Sequence, residues 1–210
     1  MLITEAEPPR QRAKRLPAEE RRRQILDAAV DVFARLGFSA AGTADIAAAA
    51  GIGEPTIYRY FANKREVYVA AVRGASDEIL EHWTQISADA PDALAALQQI
   101  GIWYFQRLQQ HPELLLLRSR SISDPQDGDI TEVVRGAYLE IVRFVEALFQ
   151  RAQDEGQIAP GEDVKTATWL YMAVGSLLDQ VQILGLHEEL TTEQVLRIAA
   201  MIQPTRGPVS

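Results

Sequence analysis

From Pro17 onward almost every apolar segment repeats at three- and four-residue spacing, the period of one helical face. Ile25, Ala29, Val32, Phe33 and Leu36 form the first stripe, opened by Pro17, with Glu19 and Glu20 in the first turn and Gly37 ending the run. A short helix follows, with Thr43 as N-cap, Asp45 in its first turn and Gly51 at its close. Another covers about Glu54 to Phe61. Asn63 then caps a long helix with Glu66 three positions on, and Tyr68, Val72, Ala75, Ile79, Trp83 and Ile86 mark its buried stripe. From Lys64 to about Ser87 it is roughly 36 Å long, enough to join two domains. Further helices are expected from Pro91-Asp92 through Leu108, from Glu113 through Arg118, from about Ile130 to Asp154, and from about Val164 to Leu184. A last one, capped by Thr191 or Thr192, runs to about Ile202. Ser123 to Gly128 is the most convincing loop. No strand-period segment remains, so the fold class is all-α with about nine helices.

Charge divides the chain unevenly. Residues 1–73 carry a balance of +3 and residues 74–210 one of −11, which together make the net −8. Arg10, Arg12, Lys14, Arg15, Arg21, Arg22 and Arg23 crowd into fourteen residues, a cluster suited to a polyanion or to a solvated tail. With 47% hydrophobic and 24% charged residues, the 210-residue chain has the composition of a globular protein. It has no cysteine, which excludes disulfides, thiolate zinc sites and cysteine nucleophiles. No apolar run approaches the roughly 20 residues of a membrane helix, and the N-terminus lacks a signal-peptide core. A cytoplasmic protein without membrane association is expected.

Two short helices joined by a glycine-containing turn, after a longer helix, describe a helix-turn-helix. Ile46, Ala47 and Ala50 face inward, Ile52 plugs the turn, and Gly51 supplies its left-handed backbone. The second short helix buries Ile57 and Phe61, which leaves Thr56, Tyr58, Arg59 and Tyr60 projecting. Such a surface suits a helix whose N-terminal half enters a major groove while its hydroxyls meet flanking phosphates.

At these residues the chain strongly resembles the TetR/AcrR family of bacterial transcriptional repressors. The matching stretch is Thr43 to Lys64, TADIAAAAGIGEPTIYRYFANK, and motif-level similarity extends over roughly residues 17–75. The resemblance implies that Thr43 contacts phosphate through its hydroxyl and backbone N–H. Tyr58 and Tyr60 would grip phosphates on either side of the groove, and Lys64 would add a charged contact. Glu54, Pro55, Thr56 and Arg59 occupy positions available to base edges or the adjacent backbone. Arg59 to guanine is the strongest specific contact by chemistry, worth about 1–3 kcal/mol. Gly53 stands where the family usually places Ser, and Ala44 where many members carry a basic or polar side chain. Glu54 is repelled by phosphate but can accept from a cytosine amino group. The basic residues Arg10 to Arg23 could follow the backbone or enter the minor groove.

The expected organisation is a disordered basic arm (1–16), a helix-turn-helix domain (17–63), a helical ligand-binding and dimerisation domain (64–203) and a frayed tail (204–210). Such domains act as dimers on paired half-sites. The helix from Val164 is apolar over more than one face, through Trp169, Met172, Ala173 and Ile183. Leu170, Val174, Leu177, Leu178 and Val181, with Val195, Ile198 and Ile202 of the last helix, are the expected dimer interface. The helix from Ile130 is apolar on nearly all sides and should be central. Trp83, Trp103, Leu117, Arg118, Tyr138, Ile141 and Met172 are candidate ligand-binding residues, with Arg118 and Tyr138 as polar anchors, and Tyr104 could join them in lining an apolar cavity.

His82, His111 and His187 are scattered, and no metalloprotease, phosphate-loop or nucleophile-elbow motif appears, so neither a catalytic site nor a metal or cofactor is expected. The function that follows is a homodimeric repressor of a palindromic double-stranded DNA operator, released by an unidentified small hydrophobic effector. The competing reading is an all-helical small-molecule-binding protein or enzyme without sequence-specific DNA binding. A third is an architectural protein with a filled core.

Overall fold

The computed structural model describes residues 16–123, 128–186 and 188–201. Among the described residues nine helices run in order: α1 (Ala18–Ala40), α2 (Thr43–Ala49), α3 (Glu54–Ile57), α4 (Lys64–Asp89), α5 (Ala93–Gln110), α6 (Glu113–Ser123), α7 (Gly128–Asp154), α8 (Val164–Leu184) and α9 (Thr192–Met201). No strand occurs among the described residues. None of the described helices is long and apolar enough to cross a membrane. The expected arm through residue 15, the centre of the loop after Ser123, and the tail from Ile202 lie outside the described residues.

α1 buries Ile25, Ala28, Ala29, Val32 and Phe33, the stripe its spacing requires. It does not stop at Gly37. That glycine takes φ 73° and ψ 171°, a break after which one more turn carries the chain to Ala40. The break brings Phe38 back against Tyr68, with ring centroids 4.8 Å apart, while Phe33 meets Tyr68 edge-on at 4.9 Å. This aromatic cluster fastens α1 to α4.

The turn after α2 satisfies two helix-terminal carbonyls. Gly51 sits at φ 64°, its N–H donates to the Ala48 carbonyl, and the Ile52 N–H donates back to Ala47. A residue with a Cβ would resist that left-handed geometry. α3 is shorter than its spacing predicts. Beyond Ile57, Arg59 and Tyr60 donate to carbonyls three residues back, so the segment tightens into turns before Phe61.

α4, about 39 Å long, packs on α1 at one end and on α5, α6 and α7 farther along. Its cap is the expected one, the Asn63 side chain accepting from the Glu66 N–H at 2.9 Å. α6 runs to Ser123, a turn and more beyond expectation, and packs most extensively against α1. α7 is not apolar on all sides. Val134, Ile141, Val145, Leu148 and Ala152 are buried, while Glu132, Arg135, Glu140 and Arg143 keep a solvated face. Packed against α4, α5, α6 and α8 on its apolar side and solvated on the other, it is a wall of the C-terminal bundle rather than its centre.

Candidate nucleic-acid interface

Ile46, Ala47 and Ala50 of the α2 segment and Ile57 and Phe61 around α3 are buried. The Gln24 amide donates to the Ala50 carbonyl at 2.8 Å, which ties the turn to α1. With those side chains inside, Pro55, Tyr58 and Arg59 are exposed, Tyr58 by 53%, and Glu54, Thr56 and Tyr60 are half-buried. The residues expected to project do so, Thr56 and Tyr60 less than the others.

Thr43 departs from expectation. The N-cap of α2 is Gly42, whose N–H donates to the Asp45 carboxylate at 2.8 Å, and Thr43 is the first residue inside the helix. Its side chain is buried and its hydroxyl donates to Glu54 Oε1 at 2.6 Å, with the Tyr58 hydroxyl 3.0 Å away. Lys64 likewise has work within the chain. Its ammonium donates to the carbonyls of Phe38 at 2.8 Å and Ala41 at 3.0 Å, and sits 4.5 Å from the centre of the Phe38 ring. Two of its three N–H groups thus close the end of α1. Arg22 of the basic cluster lies over Phe61 at 5.0 Å, while Arg10, Arg12, Lys14 and Arg15 fall outside the described residues.

The candidate ligand-binding residues are gathered only in part. Trp83, Leu117, Arg118, Ile141 and Met172 are buried in the bundle of α4 to α8. Trp103 instead stacks on the exposed His82 at 5.3 Å, toward the outside of the α4–α5 pair. Tyr138 is half-buried beside the exposed Trp169, 6.4 Å between rings. At the centre, Arg118 Nη2 donates to the Tyr104 hydroxyl at 2.7 Å and pairs with Asp179 Oδ2 at 3.1 Å, and the Tyr104 hydroxyl donates to Asp179 Oδ1. These groups join α5, α6 and α8. Burial pushes the Asp179 carboxyl above its ordinary range, although Arg118 and Tyr104 pull it back. Burial works against the Arg118 charge, but the adjacent Tyr104 oxygen and Asp179 outweigh it and hold the guanidinium protonated.

Asp179 was absent from the sequence-level candidates, though a lone acid in the apolar run Leu177-Leu178-Asp179-Gln180-Val181 was a usable signal. Near this cluster the indole N–H of Trp83 is buried with no hydrogen-bond partner among the described residues. A cavity of about 240 Å³ lies elsewhere, between Phe105 and Leu108 of α5, Leu178 and Val181 of α8, and Leu190. None of the candidate ligand residues lines it.

Of the expected dimer residues, Leu170 and Leu177 are exposed and Val174, Val181 and Ile198 half-buried. Leu178 and Val195 are buried within the chain itself, so they are core rather than outward-facing; Ile202 is outside the described residues. Trp169, Ala173, Ile183 and Leu184 extend the exposed face of α8. Among the described residues no group of three His, Asp or Glu side chains is placed to hold a metal ion.

Residues 25–71 match the family model of bacterial regulatory proteins of the tetR family. The chain is similar to the HTH-type transcriptional activator FasR of Mycolicibacterium smegmatis, 30% identical over 62% of this chain and 61% of that protein. The match therefore spans less than two thirds of that relative. A fatty acid metabolism regulator protein of Bacillus subtilis is 28% identical over 69% of this chain and 74% of its own. Among solved structures, the transcriptional regulator FadR from Bacillus subtilis in complex with stearoyl-CoA superposes with a TM-score of 0.70 at 19% identity, covering 86% of this chain and 95% of that one.

Proposed function

We propose that the chain is a bacterial regulatory protein of the tetR family, whose model its residues 25–71 match, and that it is a ligand-responsive transcriptional regulator, a repressor that binds a palindromic operator as a homodimer. The observation that carries this reading is the surface of the helix-turn-helix. Tyr58, Arg59 and Pro55 stand out of a segment whose apolar side chains are already sealed inside. Arg59 is the residue for a guanine edge, Tyr58 and Tyr60 for flanking phosphates, with Glu54 and Thr56 on the same surface. Thr43 and Lys64 supply phosphate contacts from the rim, Lys64 with the N–H not spent on α1. Paired half-sites call for two such surfaces, and the exposed apolar face of α8 from Trp169 to Leu184 is the surface for the second chain.

The effector is a hydrophobic molecule with a hydrogen-bond-accepting head, and a long-chain acyl group is the first class to test. The unpartnered Trp83 indole N–H supports an acceptor, and the fatty-acid regulator among the relatives supports the chain. Entry beside Arg118 would displace α6, which is tied through Arg118 to α5 and α8 and packs on α1. Moving the population from 99:1 to 1:99 requires a preference of about 5.5 kcal/mol for the released form.

The test is selection from a random duplex library. A palindromic site is expected, bound by the parent and lost with Tyr58→Ala plus Arg59→Ala, and released on titration with stearoyl-CoA or free stearate. Recovery of no preferred sequence would refute operator recognition. A site held unchanged at saturating acyl ligand would refute the acyl class.

A further inference from the structure

Thr43, Glu54 and Tyr58 come from α2, the start of α3 and the turn after it, and meet at the surface proposed to face DNA. Their hydrogen bonds have a fixed direction. A carboxylate only accepts, so the single proton of the Thr43 hydroxyl is spent on Glu54 Oε1 at 2.6 Å. The Thr43 oxygen, 3.0 Å from the Tyr58 hydroxyl, must then be the acceptor there, and the Tyr58 proton is spent on it. Both hydroxyl protons of this pair are therefore consumed in a relay that ends on an anion. A phosphate oxygen is also an anion that only accepts, and it needs the same protons.

We propose that the Glu54 carboxylate is an internal substitute for a DNA phosphate: it occupies the Thr43 and Tyr58 hydroxyls in the free protein and competes with the duplex for them. The inference rests on the reading of this face as the DNA interface. Phosphate contacts carry nearly all sequence-independent affinity, so a competitor for phosphate donors taxes binding to every sequence. Glu54 is half-buried, and its bond to Thr43 is charge-assisted, the strong kind. Once displaced, the carboxylate faces the phosphate without the hydroxyl that neutralised it. The function of the residue is to keep the protein off unrelated DNA, leaving Arg59 and its neighbours to supply the discrimination.

A plain through-space repulsion between Glu54 and DNA would also weaken binding, and the two differ in whether Thr43 matters. The experiment measures binding to a mixed-sequence duplex of about 30 base pairs at low salt for the parent, Glu54→Ala, Thr43→Val and the double variant. Glu54→Ala is expected to tighten binding about tenfold, and the same change made on Thr43→Val to alter it less than about twofold. Glu54→Gln, which keeps the side chain's shape and weakens the bond by removing its charge, is expected to tighten binding in the same direction and covers the case of a misfolded Ala variant. Glu54 variants that bind no tighter than the parent overturn the proposal. So does half or more of the logarithmic gain surviving in the Thr43→Val background. A parent that binds no duplex at all, with every variant equally inert, would bring down the DNA reading itself.

Discussion

Asp179 is 2% exposed and Arg118 7%, a depth at which neither charge survives alone. Each is tolerated because the other, with Tyr104 between them, completes its hydrogen bonds. The expected result of Asp179→Ala is a loss of about 3–5 kcal/mol in urea unfolding, since Arg118 is left buried and unpaired. Replacing the set together, with Tyr104→Phe, Arg118→Met and Asp179→Leu, is expected to recover most of that loss. A triple variant as unstable as the single one would mean that packing, not charge, holds the site. Arg118 and Tyr104 were legible in the sequence as residues lining the bundle; their pairing, and Asp179 as its third member, were not, because these groups lie 14 and 61 residues from Arg118 along the chain.

Helix ends explain how the C-terminal elements are joined. The first N–H groups of α5 find acceptors at Asp92 for Ala95, Glu155 for Ala93 and Gln157 for Leu94, at 2.8, 2.9 and 3.2 Å. Two of those acceptors follow α7, so the start of α5 is pinned to the end of α7. The Gln157 amide and the Ala95 N–H hold Asp92 below its ordinary pKa, and Arg151 with the Ala93 N–H does the same for Glu155. A carboxylate that binds protons less readily folded than unfolded stabilises the fold above its ordinary range, near about pH 4, and that support is lost as pH falls through the depressed value. The urea midpoint of the parent is therefore expected to fall from about pH 5 downward more steeply than that of Glu155→Gln. Asp179, raised by burial, acts in the opposite sense, which is why Glu155→Gln is the variant that isolates the effect. Equal slopes for the two proteins would remove Glu155 from the account. The Asp92 cap was readable from Pro91-Asp92; its pairing with the end of α7 was a matter of tertiary approach.

For the whole molecule the informative surface is α8, whose Trp169, Leu170, Ala173, Leu177 and Leu184 face outward. Exposed apolar side chains in a continuous row mark an interaction surface more often than chance exposure. Leu177→Glu is expected to leave helix content unchanged, because Leu177 is 38% exposed, and to convert the proposed dimer to a monomer in sedimentation. DNA affinity should fall with it, since one half-site alone is held weakly. A parent that sediments as a monomer would overturn the dimer itself, and a variant that stays dimeric would move the interface elsewhere.

Periodicity and most caps were enough to place the helices, and the run from Thr43 to Lys64 to show the likeness to the tetR family model, because these depend on neighbours within a turn or two. The apolar faces of α7 and α8 were visible in outline as well. Which apolar residue faces its own core and which faces outward was settled only by packing: Leu178 and Val195 went inward, Leu170 and Leu177 did not. The same holds for Thr43, whose hydroxyl found a carboxylate eleven residues away, and for Lys64, which closed the end of α1. A side chain's type states what it can bond with, but only the approach of distant segments decides which partner reaches it first.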